Sequence, residues 1–224
     1  MRPEMMAAGV AVLGVCAWLL AERAAQAQAD EFEAIGPDLY FDPLGLAETL
    51  VSDVQVNLTQ DQRAAGNERA FLAVIRHAEG TAGQNGYRTR FGGALFSGFA
   101  DHPRVAVQFT DRAGRRLWTS AAGAYQFMAV SPIPGGGSTR VNTWDRIKAK
   151  LGLRDFSPAS QDAAALELIR EAGALADVRA GRFAQAIAKV RGIWASLPGA
   201  GYAQPEKTLA ELAGVFQRSG GVTA

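Results

Sequence analysis

The clearest helical pattern of the chain begins at Asn67, a residue type that commonly caps helix N-termini. From there apolar residues recur at three- and four-residue spacing, as on one face of an amphipathic helix: Ala70, Phe71, Val74, Ile75 and Ala78. Gly80 follows, and glycine commonly ends helices. The pattern therefore predicts a helix that starts after Asn67 and stops at Gly80.

A different pattern occupies residues 81–127, which are rich in glycine, aromatic and β-branched residues. Val105 to Phe109 predicts a strand, and Asp111 to Gly114 predicts a turn. We expect a short antiparallel sheet in this segment.

Three more helices are expected in the last third of the chain. Ser157-Pro158 starts the first, because proline suits the first helical position, and Gly173 ends it. Two others are predicted at about 182–194 and 206–218. Together these elements predict an α+β fold that is mostly helical, with a small sheet inserted after the first helix.

The N-terminus carries an uninterrupted apolar run at residues 5–21, after Arg2 and before Glu22-Arg23. As a helix the run would extend roughly 25 Å, slightly less than a hydrocarbon core of about 30 Å. Ala27-Gln28-Ala29 matches the small-residue pattern that signal peptidase accepts. We expect residues 1–29 to be a cleaved signal peptide or a signal anchor, with a buried soluble helix as the alternative. Either of the first two takes the rest of the chain across the inner membrane.

Residues 30–66 are predicted to be an acidic linker with one short helix near 46–54, ahead of a folded domain at 67–224. Eight acidic residues and no Lys or Arg occupy residues 30–62. Because residues 1–29 are neutral and the whole chain carries +1, residues 63–224 carry +9. A basic domain is attracted to polyanions such as wall polymer, an anionic membrane or nucleic acid. No base-stacking or helix-turn-helix motif accompanies the charge, so no nucleic-acid partner is expected.

Cysteine and histidine usage argues against a bound metal. Cys16 is the single cysteine, so no disulfide can form within the chain. His77 and His102 are the two histidines, and their spacing does not suggest a zinc site. We expect no metal and no other cofactor. His77 is expected on the solvated face of its helix, and His102 is expected to be structural, with Asp101 capping a turn and holding Arg104.

Glu79, in Glu79-Gly80-Thr81, is the leading candidate for chemistry. A carboxyl at the C-terminal end of a helix meets the negative end of the helix dipole, and burial in a cleft would favour its protonated form further. Such an acid can protonate the leaving oxygen of a glycosidic bond. Taken alone, a Glu before a Gly at a helix end is more often a solvated surface carboxylate, so the neighbouring residues decide.

The segment Ser120-Ala-Ala-Gly-Ala-Tyr125-Gln126-Phe127 supplies such neighbours. Its small residues permit close approach of a ligand, while Tyr125 and Gln126 offer an aromatic surface and an amide. The alternative is an ordinary tight turn in which Tyr125 and Phe127 belong to the core. The residues alone leave both interpretations open.

Several motifs together resemble the phage lambda endolysin family, in chain order from about residue 68 to 221. They are Glu79-Gly80-Thr81, Gly92-Gly-Ala-Leu-Phe96, Asp101-His-Pro-Arg104, Ser120 to Gln126, Leu151 to Pro158, Ser160-Gln-Asp-Ala163 and Ile193-Trp-Ala-Ser-Leu-Pro-Gly-Ala-Gly-Tyr202. The resemblance implies a lysozyme-like fold and lytic transglycosylase activity on peptidoglycan, with Glu79 as general acid and base. It also places six residues along the sugar cleft: Tyr125, Gln126, Ser120, Trp194, Ser196 and Tyr202. Tyr125 and Gln126 are the stronger candidates among them.

Other functions stay open at this point. A muramidase would hydrolyse the same bond with water and a second carboxylate, for which Asp101 and Asp111 are candidates. A wall-binding module without activity would use the same residues only to grip glycan.

We expect a monomer whose partners are peptidoglycan strands and, if residues 5–21 are retained, the inner membrane. The loop after Gln126, through Gly135-Gly-Gly137, looks longer than the family's usual connection.

Overall fold

The computed structural model describes residues 43–111, 114–200 and 206–224, with side chains from residue 59 onward. Residues 61–224 form one compact unit. In the described part the helices are α1 (Pro43–Ala78), α2 (Thr143–Leu151), α3 (Pro158–Glu171), α4 (Leu175–Ala180), α5 (Phe183–Val190) and α6 (Leu209–Arg218), with a single-turn 3-10 helix at Gly86–Arg88. The strands are β1 (Val107–Thr110) and β2 (Arg116–Thr119).

Helix α1 is much longer than its pattern predicts, because it already begins at Pro43 and runs without a break to Ala78. The expectation of one short helix near 46–54 is therefore wrong, and so is the N-cap role of Asn67. Asn67 lies inside the helix, fully buried. Its amide donates to the carbonyls of Arg179 and Val222 and accepts from the Val222 N–H at 2.7 Å. Its polar side chain therefore joins the helix to the C-terminal tail.

The predicted sheet is present as one antiparallel hairpin. Val107 pairs with Thr119, and Thr110 pairs with Arg116. Asp111 and Gly114 close the turn, where the Gly114 N–H donates to the Asp111 carbonyl. The strand begins two residues later than its apolar pattern indicates.

The later helices follow their sequence signals closely. Ser157 caps α3 by accepting from the Ser160 N–H, with Pro158 in the first turn, as predicted. Helices α5 and α6 lie within the predicted ranges but are shorter. Helices α2 and α4 were not predicted, because they have nine and six residues and show too few turns for a clear apolar period.

The core is built on the apolar face of α1 and on an aromatic cluster. Trp144 and Phe156 pack edge to face at 4.6 Å between ring centroids, and Phe127 lies 5.7 Å from Trp144. The core alternative for Phe127 is therefore correct. The prediction of an α+β, mostly helical fold with a small antiparallel sheet is confirmed.

No helix within the described residues is both long and apolar enough to cross a membrane. The apolar run at 5–21 and the Ala27–Ala29 motif lie outside the described residues, as does Tyr202.

Candidate active site

Glu79 is held at the C-terminal end of α1 by a Schellman-type turn. The Thr81 N–H donates to the Arg76 carbonyl at 2.8 Å, and the Gly80 N–H donates to the His77 carbonyl at 3.1 Å. Gly80 takes a positive φ of 72°, which glycine adopts without strain. The Thr81 hydroxyl donates to the Ala124 carbonyl, which joins the turn to the segment that carries Tyr125. The direction of the Glu79 side chain is thus fixed by backbone contacts.

The Glu79 side chain lies in a cleft of about 430 Å³. Among the described residues that line the cleft, Glu79 supplies the one carboxyl. The walls are otherwise mainly apolar, with contributions from Phe91, Phe109, Leu117, Trp118, Val141 and Ile193. Burial raises the pKa of Glu79 above its ordinary value of 4.5, and a hydrogen bond from Ser196 opposes that rise in part. The site therefore favours a carboxyl that keeps its proton closer to neutral pH.

Ser196 is brought to Glu79 from the far end of the domain. Its hydroxyl donates to Glu79 Oε1 at 2.6 Å. Two residues earlier Trp194 is buried, and its indole N–H donates to the Tyr125 carbonyl at 3.1 Å. Trp194 therefore lines the cleft, and Ser196, which is not among the lining residues, contacts the carboxyl of Glu79.

Tyr125 lines the cleft but is 1% exposed, so its ring is part of the core. Its hydroxyl donates to Asp162 at 2.5 Å. Gln126 also lines the cleft and is half-buried, with a positive φ of 49°. Its amide nitrogen donates to the Thr89 and Gly123 carbonyls. Gln126 is therefore a fixed feature of the wall, whereas Tyr125 does not present an aromatic face.

The expectation that Ser120 contacts sugar does not match its position. Ser120 is 1% exposed and does not line the cleft. Its hydroxyl donates to the Ala129 carbonyl at 2.6 Å and accepts from the Ala129 N–H at 3.1 Å. The small polar side chain is thus used to satisfy buried backbone groups at the base of the following loop.

Asp101 and Asp111, the candidates for a second carboxylate, lie outside the set of cleft-lining residues. Asp101 accepts from Arg104 and Lys148, and Asp111 accepts from Arg115. Although burial alone would raise the pKa of Asp101, the hydrogen bonds from Lys148 and Arg104 hold it well below its usual range. Neither carboxylate is therefore among the described residues that line the cleft with Glu79.

The structure agrees with the sequence-based prediction for His102 but not with that for His77. His102 is structural as predicted: it is buried, its Nε2 donates to the Phe127 carbonyl and its Nδ1 accepts from the Arg104 N–H. Burial lowers the pKa of His102, which agrees with a neutral ring. His77 is not on a fully solvated face, because its Nε2 lies 2.7 Å from Glu211 Oε1 and its side chain is one-third exposed.

Part of the wall was missed by sequence reasoning. Phe91 and Phe109 pack against each other at 5.3 Å between centroids, and both line the cleft with Leu117. The alternation along β1 and β2 contained the signal: Phe109 is directly paired with Leu117 across the hairpin. A period of two puts residues 117 and 119 on one face of β2. Both line the cleft, as does Trp118 between them.

A small, mostly helical α+β domain with one hairpin and a cleft holding a single described carboxyl at a helix C-terminus defines a lysozyme-like enzyme. Comparison with known proteins identifies the family within this class of enzymes. The chain belongs to the endolysin family, whose model, described as Endolysin, matches residues 69–223.

The relatives are phage proteins. The chain is 39% identical over 159 residues to the endolysin of Escherichia phage lambda, covering 68% of this chain and 90% of that protein. It is 40% identical over 172 residues to the endolysin of Escherichia phage P2, covering 70% and 95%. A solved bacteriophage lambda lysozyme in complex with a chitohexasaccharide matches with a TM-score of 0.61 and 38% identity, over 71% of this chain and 97% of that one. The predicted family is confirmed, and with it cleavage of glycosidic bonds in peptidoglycan as the class of activity.

Proposed function

We propose that the protein is a lytic transglycosylase that cleaves the β-1,4 bond between N-acetylmuramic acid and N-acetylglucosamine. Glu79 protonates the leaving oxygen while the anomeric carbon develops positive charge. The C6 hydroxyl of the same muramic acid then attacks that carbon, and its proton returns to Glu79. The product ends in 1,6-anhydro-N-acetylmuramic acid, and the enzyme regains its starting protonation state.

The observation that carries this proposal is the single carboxyl among the described residues of the cleft. Hydrolysis with water ordinarily uses a second carboxylate as base or nucleophile, whereas internal attack needs one group that serves in both directions. Asp101 and Asp111 are occupied by arginine and lysine. Burial of Glu79 supports its acid role, because an acid is most effective when its pKa lies close to the working pH.

The hydrogen bond from Ser196 gives the two carboxyl oxygens of Glu79 different roles. Because the Ser196 hydroxyl donates to Oε1, the proton of the neutral acid belongs on Oε2. Oε2 is then the atom that meets the glycosidic oxygen. In the ionised state the same hydrogen bond stabilises the carboxylate until the C6 proton returns.

Glycan binding is proposed along the apolar walls beside Gln126 and Trp194. The related lambda lysozyme was solved with a chitohexasaccharide, which supports a β-1,4-linked amino-sugar chain as the ligand of this cleft. Tyr202 keeps its proposed contact with glycan on the resemblance alone, since it lies outside the described residues.

The deciding experiment is mass spectrometry of muropeptides released from purified peptidoglycan by residues 30–224. Anhydro-muramyl ends from the unaltered domain and none from Glu79→Gln are expected. Reducing ends would make the protein a muramidase instead. Binding without release by either form would leave a wall-binding module. A Glu68→Gln variant, which alters an acid on α1 bonded to Arg179, serves as the matched control and should keep full activity.

Export by residues 1–29 is part of the same proposal, because the peptidoglycan substrate lies beyond the inner membrane. The apolar run at 5–21 and Ala27-Gln28-Ala29 support a signal peptide or anchor. The intact mass of the full chain recovered from the periplasm and from the membrane distinguishes the two. A mature chain that starts at Asp30 is expected for cleavage, and full-length protein in the membrane for an anchor; full-length protein confined to the cytoplasm would contradict both.

A further inference from the structure

A network of hydrogen bonds behind the cleft wall converges on Asp162, which lies on α3. Its Oδ1 accepts from the Tyr87 hydroxyl at 2.8 Å and from the Tyr125 hydroxyl at 2.5 Å. Arg76 Nη1 donates to the Tyr87 hydroxyl at 2.9 Å, and its guanidinium carbon lies 5.4 Å from the centre of the Tyr87 ring. One carboxylate oxygen thus joins residues from three segments of the chain.

Both tyrosines are held as donors in this network. Burial, and then the nearby carboxylate of Asp162, raise the pKa of Tyr125 well above its usual range, and the pKa of Tyr87 is raised first by burial and then by Asp162. A hydroxyl that keeps its proton over the whole working pH range donates without interruption. The two bonds are charge-assisted, which makes them stronger than bonds between neutral groups.

One arm of the network reaches the acid through Tyr125. The Tyr125 carbonyl accepts the indole N–H of buried Trp194. Two residues along the same segment, the Ser196 hydroxyl donates to Glu79. Displacement of the Tyr125 peptide would therefore move the segment that holds the Ser196 hydroxyl against the carboxyl.

The other arm reaches the same acid through the end of α1. Arg76 supplies the carbonyl that accepts the Thr81 N–H at 2.8 Å, and this bond fixes the turn that carries Glu79. Its side chain is held by Tyr87. Asp162 thus lies where the supports of Glu79 and of Ser196 meet, although it does not line the cleft.

We infer that Asp162 is a positioning residue for the reaction, acting through Tyr125 and Trp194 to hold the Ser196 hydroxyl against Glu79. The inference rests on the proposed role of Glu79. It assigns a kinetic function to a side chain that touches neither the cleft nor the acid. A misplacement of about 1 Å in a reacting group can reduce a rate by about a hundredfold, so indirect support of this kind affects turnover.

The test is a double-mutant cycle of Asp162→Ala and Ser196→Ala, measured as bonds cleaved in soluble, uncross-linked glycan strands. Asp162→Ala is expected to lower kcat roughly tenfold or more and to change KM by less than about twofold, because the cleft walls themselves are kept. In the Ser196→Ala background the same change should lower kcat by less than about threefold, since the hydroxyl that it positions is already gone and the Arg76 carbonyl still holds the Glu79 turn through its bond with the Thr81 N–H. Additive losses in kcat would overturn the inference.

Tyr125→Phe provides a second variant that removes one donor to Asp162 and keeps the ring in the core. If Asp162→Ala does not fold, Tyr125→Phe replaces it in the cycle. Its loss in kcat should likewise be smaller in the Ser196→Ala background than in the unaltered enzyme. Asp155→Ala is the matched control, because Asp155 also accepts two hydrogen bonds at the start of α3, from the Ser157 N–H and the Ser160 hydroxyl. Its effect on kcat should be small and independent of Ser196; a dependence equal to that of Asp162→Ala would also overturn the inference.

The pH profile separates positioning from simple loss of stability. The Ser196 hydrogen bond lowers the pKa of Glu79, so its loss raises that pKa. If Asp162→Ala frees the Ser196 hydroxyl from Glu79, the fall in rate on the alkaline side of the pH profile therefore moves to higher pH, in the same direction as for Ser196→Ala. An unmoved limb with reduced kcat would contradict the proposed route. Failure of the proposed function is distinguishable, because it appears as reducing ends in the products or as activity retained in Glu79→Gln, and the kcat cycle measures neither.

Discussion

The Ser196 hydroxyl donates a hydrogen bond of 2.6 Å to Oε1 of Glu79, although 117 positions separate the two residues in the chain. The contact joins the end of α1 to the loop before α6, the first and last parts of the described domain. Its consequence is that one carboxyl oxygen is committed to the protein while the other is available for proton transfer. It also sets the balance between the neutral and ionised forms of the acid.

Ser196→Ala is expected to move the alkaline limb of the rate profile upward. In the proposed mechanism cleavage requires protonated Glu79, so the rate is expected to fall as the pH rises through its raised pKa. The Ser196 hydrogen bond lowers that pKa, and its removal lets the proton persist to higher pH. The maximal rate should drop roughly tenfold because the carboxyl loses its orientation. Rates measured from pH 4 to 9 check this, with Ser196→Thr restoring the limb. A downward shift would contradict the assignment.

Glu79→Gln should abolish cleavage, by at least about a hundredfold, and at the same time stabilise the fold at alkaline pH. Because burial raises the folded-state pKa of Glu79, its stability contribution is complete below the ordinary value of 4.5 and is lost as pH rises through the raised pKa. Glutamine does not titrate. The Tm difference between variant and wild type should therefore grow from pH 4 to pH 8.

Glu211→Gln is the control for that stability measurement, because the pKa of Glu211 is shifted in the opposite direction from that of Glu79. The pKa of Glu211 is lowered, first by the hydrogen bond with His77. Its contribution is present above the ordinary pKa and lost as pH falls, so the variant should have the lower Tm at neutral pH. Equal trends in Tm for both variants would show that the burial of Glu79 does not govern its titration.

Much of the fold could be predicted because its signals are local. Ser157-Pro158 and Gly80 mark helix ends through backbone conformations that each residue favours on its own, and the hairpin turn at Asp111 to Gly114 is of the same kind. Helix α1 is the exception. Residues 43–66 belong to the helix although their apolar residues show no sustained period and predicted at most one short helix, since a helix can extend without an apolar face that marks it in the sequence.

The candidate site could be predicted only where the residue type limits its role. Glu79 at a helix end suggested an acid, and Trp194 and Ser196 were found by resemblance. Ser120 and Tyr125 were both predicted to contact sugar, but their polar atoms are bonded inside the domain. Which partner satisfies a serine or tyrosine hydroxyl depends on residues distant in sequence, and no local pattern contains that information.

Asp101→Asn and Asp111→Asn should both retain cleavage to within about threefold, because neither side chain lines the cleft and a true catalytic carboxylate would cost a hundredfold or more. Asp101→Asn should also lower the free energy of unfolding by about 1 kcal/mol at neutral pH, a value reduced by the partial exposure of its partners. The pKa of Asp101 is lowered, so this loss relative to wild type should shrink as the pH falls below 4. Cleavage abolished in either variant would support a muramidase.

Gly123→Ala should be strongly destabilising. An added Cβ would lie 2.3 Å from Gln161 Oε1 and 2.8 Å from Phe156 Cζ, and φ at Gly123 is +80°. Gly137→Ala is the matched control, with a φ of +85° and no atom within 4 Å of the added carbon. The control measures backbone strain alone, about 1 kcal/mol. Gly123→Ala should cost at least about 2 kcal/mol more in the free energy of unfolding by urea titration, and equal costs would contradict the close packing.

Asn67→Ala tests the role of Asn67 as a buried link between α1 and the C-terminal tail. The link predicts a loss of roughly 3 kcal/mol in the free energy of unfolding, because three buried backbone contacts with Arg179 and Val222 are broken. A cap would lose about 1 kcal/mol and would tolerate serine. Serine is too short to reach both partners, so Asn67→Ser should be nearly as unstable as Asn67→Ala. Arg63→Ala removes only an exposed 3.3 Å contact with the Thr223 carbonyl and should have little effect. A stable Asn67→Ser variant would contradict the role of Asn67 as a link to the tail.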